Sequence, residues 1–165
     1  YQRWAKLATQ PGEPGVTLIY GSMYGNTEVM MNAVAQGIAR VGLPLRLFDA
    51  ARTHASYILP AVWRYNGVML GAPTYEVSLF LPVAQALEAL AHKRIGGKKA
   101  AYFGSYGWSG GAQRECEEWA ARLKWQWCGA FTFTGAPTPE QLRQGADWGE
   151  AFARSLLAAP AGGGA

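Results

Sequence analysis

The chain alternates between short apolar runs and longer stretches in which apolar residues recur every three or four positions. The short runs are rich in Val, Leu, Ile and Phe, and several of them end at a glycine, as buried strands do. These runs predict five β-strands, at residues 16–20, 45–49, 67–71, 99–104 and 125–134.

The stretches between the strands predict helices. In residues 27–41 the apolar side chains recur at helical spacing, and Gly42 follows as a stop signal. Pro60 is expected to kink or split the second helix, whereas Pro82 is tolerated in the first turn of the third. The five predicted helices cover residues 27–41, 54–65, 80–92, 111–123 and 138–157.

Strand and helix alternate along the whole chain, which predicts an α/β fold. The first, third and fourth strands are apolar on both faces, as is typical of central parallel strands covered by helices on both sides. Right-handed crossovers between such strands give an open, doubly wound sheet. Sheets of this kind bind ligands beyond the carboxyl ends of their strands.

The composition fits one folded domain and excludes several classes of protein. With 165 residues, of which half are hydrophobic and 16% charged, the chain is long enough to bury one core. Its net charge of +4 comes from scattered Lys and Arg, so no nucleic-acid-binding surface is indicated, and no apolar stretch is long enough to span a membrane. Cys116 and Cys128 make no disulfide framework and no metal-binding spacing, so we expect a reduced, cytoplasmic protein.

The two ends of the chain differ from the rest. Residues 1–15 contain two Pro-Gly pairs and are interpreted as a lead-in or linker from an absent upstream domain. Residues 16–157 are interpreted as the folded domain. Residues 158–165 consist of Ala, Gly and Pro and are interpreted as a flexible tail.

The chain contains 21 glycines, which indicates loops where the backbone comes close to another group. Three loops at the predicted carboxyl edge, residues 21–27, 71–80 and 104–111, are rich in Gly, Ser, Thr and aromatic residues. The hydroxyls and successive N–H groups of the first loop, at a helix start, suit a phosphate. The loop has no Lys, which excludes a nucleoside-triphosphate P-loop and favours a single phosphate monoester. The alternative is an ordinary helix cap at Asn26 or Thr27.

The other two loops carry aromatic side chains. Tyr75 lies in the second loop with Phe80 nearby, and Tyr106 and Trp108 lie among four glycines in the third. Two such loops on either side of a phosphate loop are able to sandwich a flat heterocycle. The alternative is that each ring simply packs on the surface.

One spacing elsewhere is typical of different chemistry. Cys116 and Arg122 have the Cys-x5-Arg spacing of a tyrosine phosphatase. Three glutamates surround Cys116, however, and their charge would repel a phosphate and raise the pKa of the thiol. We therefore interpret the spacing as coincidental.

The three loops together resemble one known family. S-M-Y-G-N-T after the first strand, A-P-T-Y after the third and F-G-S-Y-G-W-S-G-G after the fourth are similar to the loops in the flavodoxin-like domain of flavodiiron proteins (A-type flavoproteins). The likeness runs from about residue 16 to residue 157, and Tyr1-x-x-Trp4 is similar to the segment that in this family leaves a metallo-β-lactamase-like diiron domain. The resemblance implies a flavodoxin-like sheet of five strands in the order 2-1-3-4-5, in an excised or processed domain of a larger protein.

The resemblance also implies FMN as the cofactor. The first loop would hold the phosphate and the other two would line the isoalloxazine, with Trp108 as the stacking ring. The family commonly has a glycine shortly after the Pro-Thr-Tyr segment of the second loop. Here residues 76–78, which follow Tyr75, contain no glycine. The implied FMN-binding residues are Ser22, Met23, Tyr24, Gly25, Asn26, Thr27, Pro73, Thr74, Tyr75, Glu76, Val77, Ser105, Tyr106, Gly107, Trp108, Ser109 and Gly110.

The family role implies an electron-transfer module of an oxidoreductase that has no catalytic side chain of its own. Electrons would arrive from a donor such as rubredoxin or a reductase and pass to a diiron centre that reduces oxygen or nitric oxide. No metal site in this chain and no nucleic-acid or membrane partner is expected. Two alternatives remain open: a stand-alone flavodoxin-like quinone reductase, and an interaction module that binds no flavin.

Overall fold

A computed structural model describes residues 12–22, 25–75, 78–105 and 111–157. The strands in these ranges are β1 (Glu13–Tyr20), β2 (Leu45–Asp49), β3 (Tyr65–Gly71), β4 (Thr74–Tyr75), β5 (Ser78–Leu79), β6 (Lys99–Ser105) and β7 (Gln126–Phe133). The helices are α1 (Asn26–Val41), α2 (Ala55–Arg64), α3 (Leu81–His92), α4 (Gly111–Arg122) and α5 (Pro139–Leu157).

Five of the described strands form one parallel sheet, in the order β2-β1-β3-β6-β7. When these five are counted in chain order the arrangement is 2-1-3-4-5, so the predicted fold class and the implied strand order are both confirmed. The remaining two strands, β4 and β5, pair antiparallel as a small hairpin after β3. The sequence pattern did not predict this hairpin.

The predicted strands and helices agree with the structure to within a few residues, with two corrections. β1 begins at Glu13, which pairs with Tyr65, so residues 13–15 lie in the sheet and not in the lead-in. Pro60 does not split α2, which runs unbroken from Ala55 to Arg64. Both Pro60 and Ser56 are exposed, so water can reach the Ser56 carbonyl that proline leaves without a helical partner.

The sheet separates two hydrophobic clusters. Neighbouring residues of the central strands point to opposite sides, so that Leu18 and Met69 lie in one cluster and Ile19 and Leu70 in the other. Helices α2, α3 and α4 cover the face of Ile19, and α1 and α5 cover the face of Leu18. None of the described helices is long and apolar enough to cross a bilayer.

Glycine lets α1 and α5 approach each other backbone to backbone. A Cβ at Gly37 of α1 would overlap the carbonyl oxygen of Ala146 in α5. A Cβ at Gly149 of α5 would likewise overlap the carbonyl oxygen of Val34 in α1. Gly37 and Gly149 therefore allow two helices to pack closely. From the sequence alone, the high glycine content is instead interpreted as a sign of loops.

Candidate functional site

The three glycine-rich loops begin at the same edge of the sheet. β1, β3 and β6 are parallel neighbours, with Tyr20 opposite Gly71 and Gly71 opposite Phe103. The residues that follow these strands therefore meet at the carboxyl edge. The structure places there the following residues of the implied FMN site: Ser22, Gly25, Asn26 and Thr27 after β1, Pro73, Thr74 and the backbone of Tyr75 after β3, and Ser105 at the end of β6.

The other residues of the implied site lie outside the described ranges. They are Met23, Tyr24, Glu76, Val77, Tyr106, Gly107, Trp108, Ser109 and Gly110. Their part in binding stays a prediction from the sequence.

The first loop forms a turn in front of α1. The Gly25 N–H donates to the Ser22 Oγ at 3.0 Å, and Gly25 has a left-handed backbone with φ of 85°. Gly25 is the N-cap of α1 and makes no side-chain cap, so the alternative of an ordinary cap at Asn26 or Thr27 is wrong. Since the Ser22 hydroxyl already accepts a bond from Gly25, its proton is available to a phosphate oxygen.

Gly25 is not packed against another described part of the fold. Apart from its own chain neighbours, no described residue lies within 4 Å of the place where a Cβ of Gly25 would stand. The first N–H groups of a helix have no partner within the helix, and its N-terminal end carries the positive end of the dipole. The Ser22 hydroxyl and the start of α1 together fit the phosphate of FMN.

The charges near the first loop are mixed. Burial, followed by the carboxylates of Asp49 and Glu28, raises the pKa of Tyr20, and Arg52 lowers it. Tyr20 therefore remains a neutral phenol at the end of β1. The loop itself contains no Lys or Arg, so an anion would be bound there by hydroxyls, backbone N–H groups and the helix N-terminus.

The first and second loops are joined directly. The Gly21 N–H donates to the Gly71 carbonyl oxygen at 2.9 Å. The ring of Phe80 lies where a Cβ of Gly21 would stand, and it also packs against the cluster that contains Ile19. Phe80, which the sequence placed near a flat ligand, thus fills the gap between the two loops.

The second loop is also bonded to β6. The Ala72 N–H donates to the Phe103 carbonyl oxygen at 3.1 Å, and the Tyr102 hydroxyl donates to the Ala72 carbonyl oxygen at 2.6 Å. Burial raises the pKa of Tyr102, so its hydroxyl keeps the proton that it donates. A Cβ at Gly104 would overlap both the Tyr102 hydroxyl and the Ala72 carbonyl oxygen, so the close contact requires glycine.

The hairpin β4–β5 is bonded to α4, the helix that follows the third loop. The Ala112 N–H donates to the Thr74 Oγ1 at 3.4 Å, and the Leu79 N–H donates to the Glu115 Oε1 at 3.2 Å. Sequence reasoning missed Tyr102 and Glu115. A hydroxyl in the apolar run of β6 was a usable signal for Tyr102, because a buried phenol needs a partner. Nothing in the pattern of α4 marked Glu115.

Cys116 and Arg122 do not form a catalytic site. Cys116 is fully buried, and burial followed by the charges of Glu115 and Glu117 raises its thiol pKa. Arg122 stacks over the Trp119 ring at 4.9 Å, so the Cys-x5-Arg spacing makes no phosphatase site. Within the described ranges, no three His, Cys, Asp or Glu residues are grouped so that they could hold a metal ion.

Comparison with known sequences identifies relatives of this domain. The family model for flavodoxin matches residues 18–149. The anaerobic nitric oxide reductase flavorubredoxin of Pectobacterium carotovorum is 40% identical over 114 residues, which cover 68% of this chain and 22% of that protein. The chain thus spans about a fifth of the length of this curated relative.

Solved structures agree with the sequence relatives. The rubredoxin oxygen:oxidoreductase of Desulfovibrio gigas superposes with a TM-score of 0.88 at 26% identity, covering 96% of this chain and 40% of that one. The flavodiiron protein of Giardia intestinalis gives 0.87 at 26% identity, covering 95% and 39%. FMN is the cofactor of this family. The chain belongs to the flavodoxin family, as the flavodoxin-like domain that flavodiiron proteins carry.

Proposed function

We propose that this chain binds FMN at the carboxyl edge of its sheet and acts as an electron-transfer module. The observation that carries the proposal is the set of bonds that joins the first loop to the second, and the second loop to β6 and α4, the elements on either side of the third loop. Gly21 is bonded to Gly71, Ala72 to Phe103, and Leu79 to Glu115. The first two loops, held in this way, are preorganised for a ligand at this edge of the sheet, which lowers the entropy lost on binding.

Each loop has a distinct role in this proposal. The Ser22 hydroxyl and the N-terminal end of α1 bind the phosphate. The second and third loops orient the flavin ring and exclude water from its faces. Bound FMN supplies the redox chemistry, so the protein needs no acid, base or nucleophile of its own.

The names of the relatives support a place for the module in a larger protein. One relative is a flavorubredoxin that reduces nitric oxide, and another is a rubredoxin oxygen:oxidoreductase. By analogy, the electrons come from a rubredoxin-type donor or a reductase. They leave to a diiron centre that reduces oxygen or nitric oxide, in a cytoplasmic protein.

FMN titration of the purified chain tests the proposal. We expect saturable, equimolar binding that quenches flavin fluorescence, and reduced protein that passes electrons to an added one-electron acceptor. A folded chain that takes up no FMN is the outcome that contradicts the proposal and supports the flavin-free module. Rapid NADH-driven quinone reduction by the FMN-loaded chain alone supports the quinone reductase.

A further inference from the structure

The hairpin β4–β5 has little support of its own. Each of its strands has two residues, with Thr74 paired to Leu79 and Tyr75 to Ser78. An isolated two-stranded pair is marginally stable in water even when it is much longer. Contacts with other elements must therefore hold the hairpin in place.

Glu115 of α4 supplies one such contact. Its Oε1 accepts the Leu79 N–H at 3.2 Å, across 36 residues of sequence. Leu79 is only 4% exposed, so its N–H is shielded from water and needs an acceptor within the protein.

A second bond runs in the opposite direction. The Ala112 N–H, in the first turn of α4, donates to the Thr74 Oγ1 at 3.4 Å. Both strands of the hairpin are thereby tied to the first turns of α4, one through a donor and one through an acceptor. The hairpin belongs to the second loop and α4 begins directly after the third loop, so these bonds fix the second loop relative to Gly111, the residue at which the third loop ends.

We propose that Glu115 is a positioning residue for the flavin: by accepting the Leu79 N–H it holds the hairpin of the second loop against the start of α4, at the position that flavin binding requires. The inference rests on the proposed FMN site. This role of Glu115 requires a hydrogen-bond acceptor at the end of a side chain as long as Glu, and it does not require the negative charge. Loss of the acceptor lowers the fraction of protein with a binding-competent slot, and apparent affinity falls by the same factor.

Four variants separate reach from charge. Glu115→Gln keeps an acceptor at the same reach without the charge. Glu115→Asp keeps the charge but is one methylene too short, and Glu115→Ala removes both. Glu118→Ala is the matched control, since Glu118 is an exposed acid on the same helix. Circular dichroism establishes that each variant is folded, and Glu115→Asp and Glu115→Gln carry the test if Glu115→Ala does not fold.

Two measurements are made on each variant: the dissociation constant for FMN, and hydrogen exchange at the Leu79 amide in the flavin-free protein. For Glu115→Ala and Glu115→Asp we expect about tenfold weaker FMN binding, within the range expected when a buried N–H loses its partner. Exchange at Leu79 should be faster in both. Glu115→Gln should stay within about twofold of the wild type because it keeps an acceptor at the same reach. Glu118→Ala should do so because an exposed charge contributes little.

Two results would overturn the role of Glu115 while FMN binding by the wild type stands. One is unchanged affinity and unchanged Leu79 exchange in Glu115→Ala. The other is a Glu115→Gln variant as weak as Glu115→Ala, which would make the charge responsible. A folded wild type that binds no FMN would instead overturn the proposed function, and the flavin role of Glu115 with it.

Discussion

Thr17 in the middle of β1 has a buried hydroxyl that bonds to none of the described residues. The residue is fully buried, and its Oγ1 has no hydrogen-bond partner there. Burying a hydroxyl without a partner opposes folding by about 1–3 kcal/mol. Thr17→Val keeps the shape and removes the hydroxyl, so we expect the free energy of unfolding to rise by about 1 kcal/mol.

Urea unfolding of the flavin-free protein measures this change. Thr132→Val on the edge strand β7 is the control, because it is the same substitution at a threonine that is only partly buried. The control should change little. Lower stability in Thr17→Val would mean that the hydroxyl makes a stabilising contact after all.

Lys98, just before β6, is a buried ammonium group at the amino end of the sheet. It is 1% exposed, and its Nζ donates to the Trp63 carbonyl oxygen at 3.1 Å. Burial lowers the pKa of Lys98 from 10.5 to about 8. Between these two values the unfolded chain holds a proton that the folded chain has released, so the contribution of this group to stability rises with pH.

We therefore expect the wild type to gain stability relative to Lys98→Met as the pH increases from about 8 to about 10.5. Chemical unfolding of both proteins at several pH values measures the difference between their free energies of unfolding. Tyrosines and cysteines titrate in both proteins, so their contributions cancel in this difference. Lys93→Met, at the exposed end of α3, controls for loss of a positive charge. A difference that is flat across this window would show that the burial of Lys98 does not favour its neutral form.

The packing of α1 against α5 depends on a glycine that helix propensity alone would disfavour. Replacing a helical Gly by Ala normally stabilises a helix by about 1 kcal/mol. At Gly37 the added Cβ would overlap the Ala146 carbonyl oxygen, and backbone cannot move aside as a side chain can. Overpacking of this kind typically opposes folding by about 1–3 kcal/mol.

We expect Gly37→Ala to lower the free energy of unfolding by up to about 2 kcal/mol after the propensity gain is subtracted. Gln36→Ala, at the exposed neighbouring position, should be close to neutral. Thermal and urea unfolding measure both variants. Stabilisation by Gly37→Ala would show that the two helices are not in close backbone contact.

The larger strands and helices were predictable because each is long enough to show its period. α1 repeats its buried positions at Met30, Val34 and Ile38, and β1 is buried continuously from Gly15 to Ile19. The hairpin was missed because two-residue strands have no readable period. Gly37 and Gly149 were misread because composition cannot show which other backbone will approach a glycine.

The site was predictable only where chain order decides position. Ser22 and Gly25 follow a buried strand and precede a helix, which places them at the carboxyl edge. The bonds of Glu115 to Leu79 and of Tyr102 to Ala72 span 36 and 30 residues. Partners so far apart in sequence are fixed only by the packing of whole helices on the sheet.

A ligand that touches all three loops should stabilise the whole molecule, because the loops follow β1, β3 and β6 and reach the same edge only when the sheet is folded. A ligand that binds only the folded state adds about 2.7 kcal/mol at one hundred times its dissociation constant. In a domain of this size, 1 kcal/mol corresponds to roughly 2–4 °C in melting temperature. We therefore expect FMN at this excess to raise the melting temperature by roughly 5–10 °C.

Riboflavin separates the contribution of the ring from that of the phosphate, since it carries the same ring and no phosphate. At equal concentration it should raise the melting temperature less than FMN. Ser22→Ala removes the proposed phosphate donor, which is also the acceptor of the Gly25 N–H, so it should reduce the advantage of FMN over riboflavin and leave the riboflavin shift unchanged. Ser56→Ala, at the start of α2, is the matched control. Equal shifts for both ligands in the wild type would mean that the turn before α1 does not bind the phosphate, because the ring alone would then account for all of the coupling.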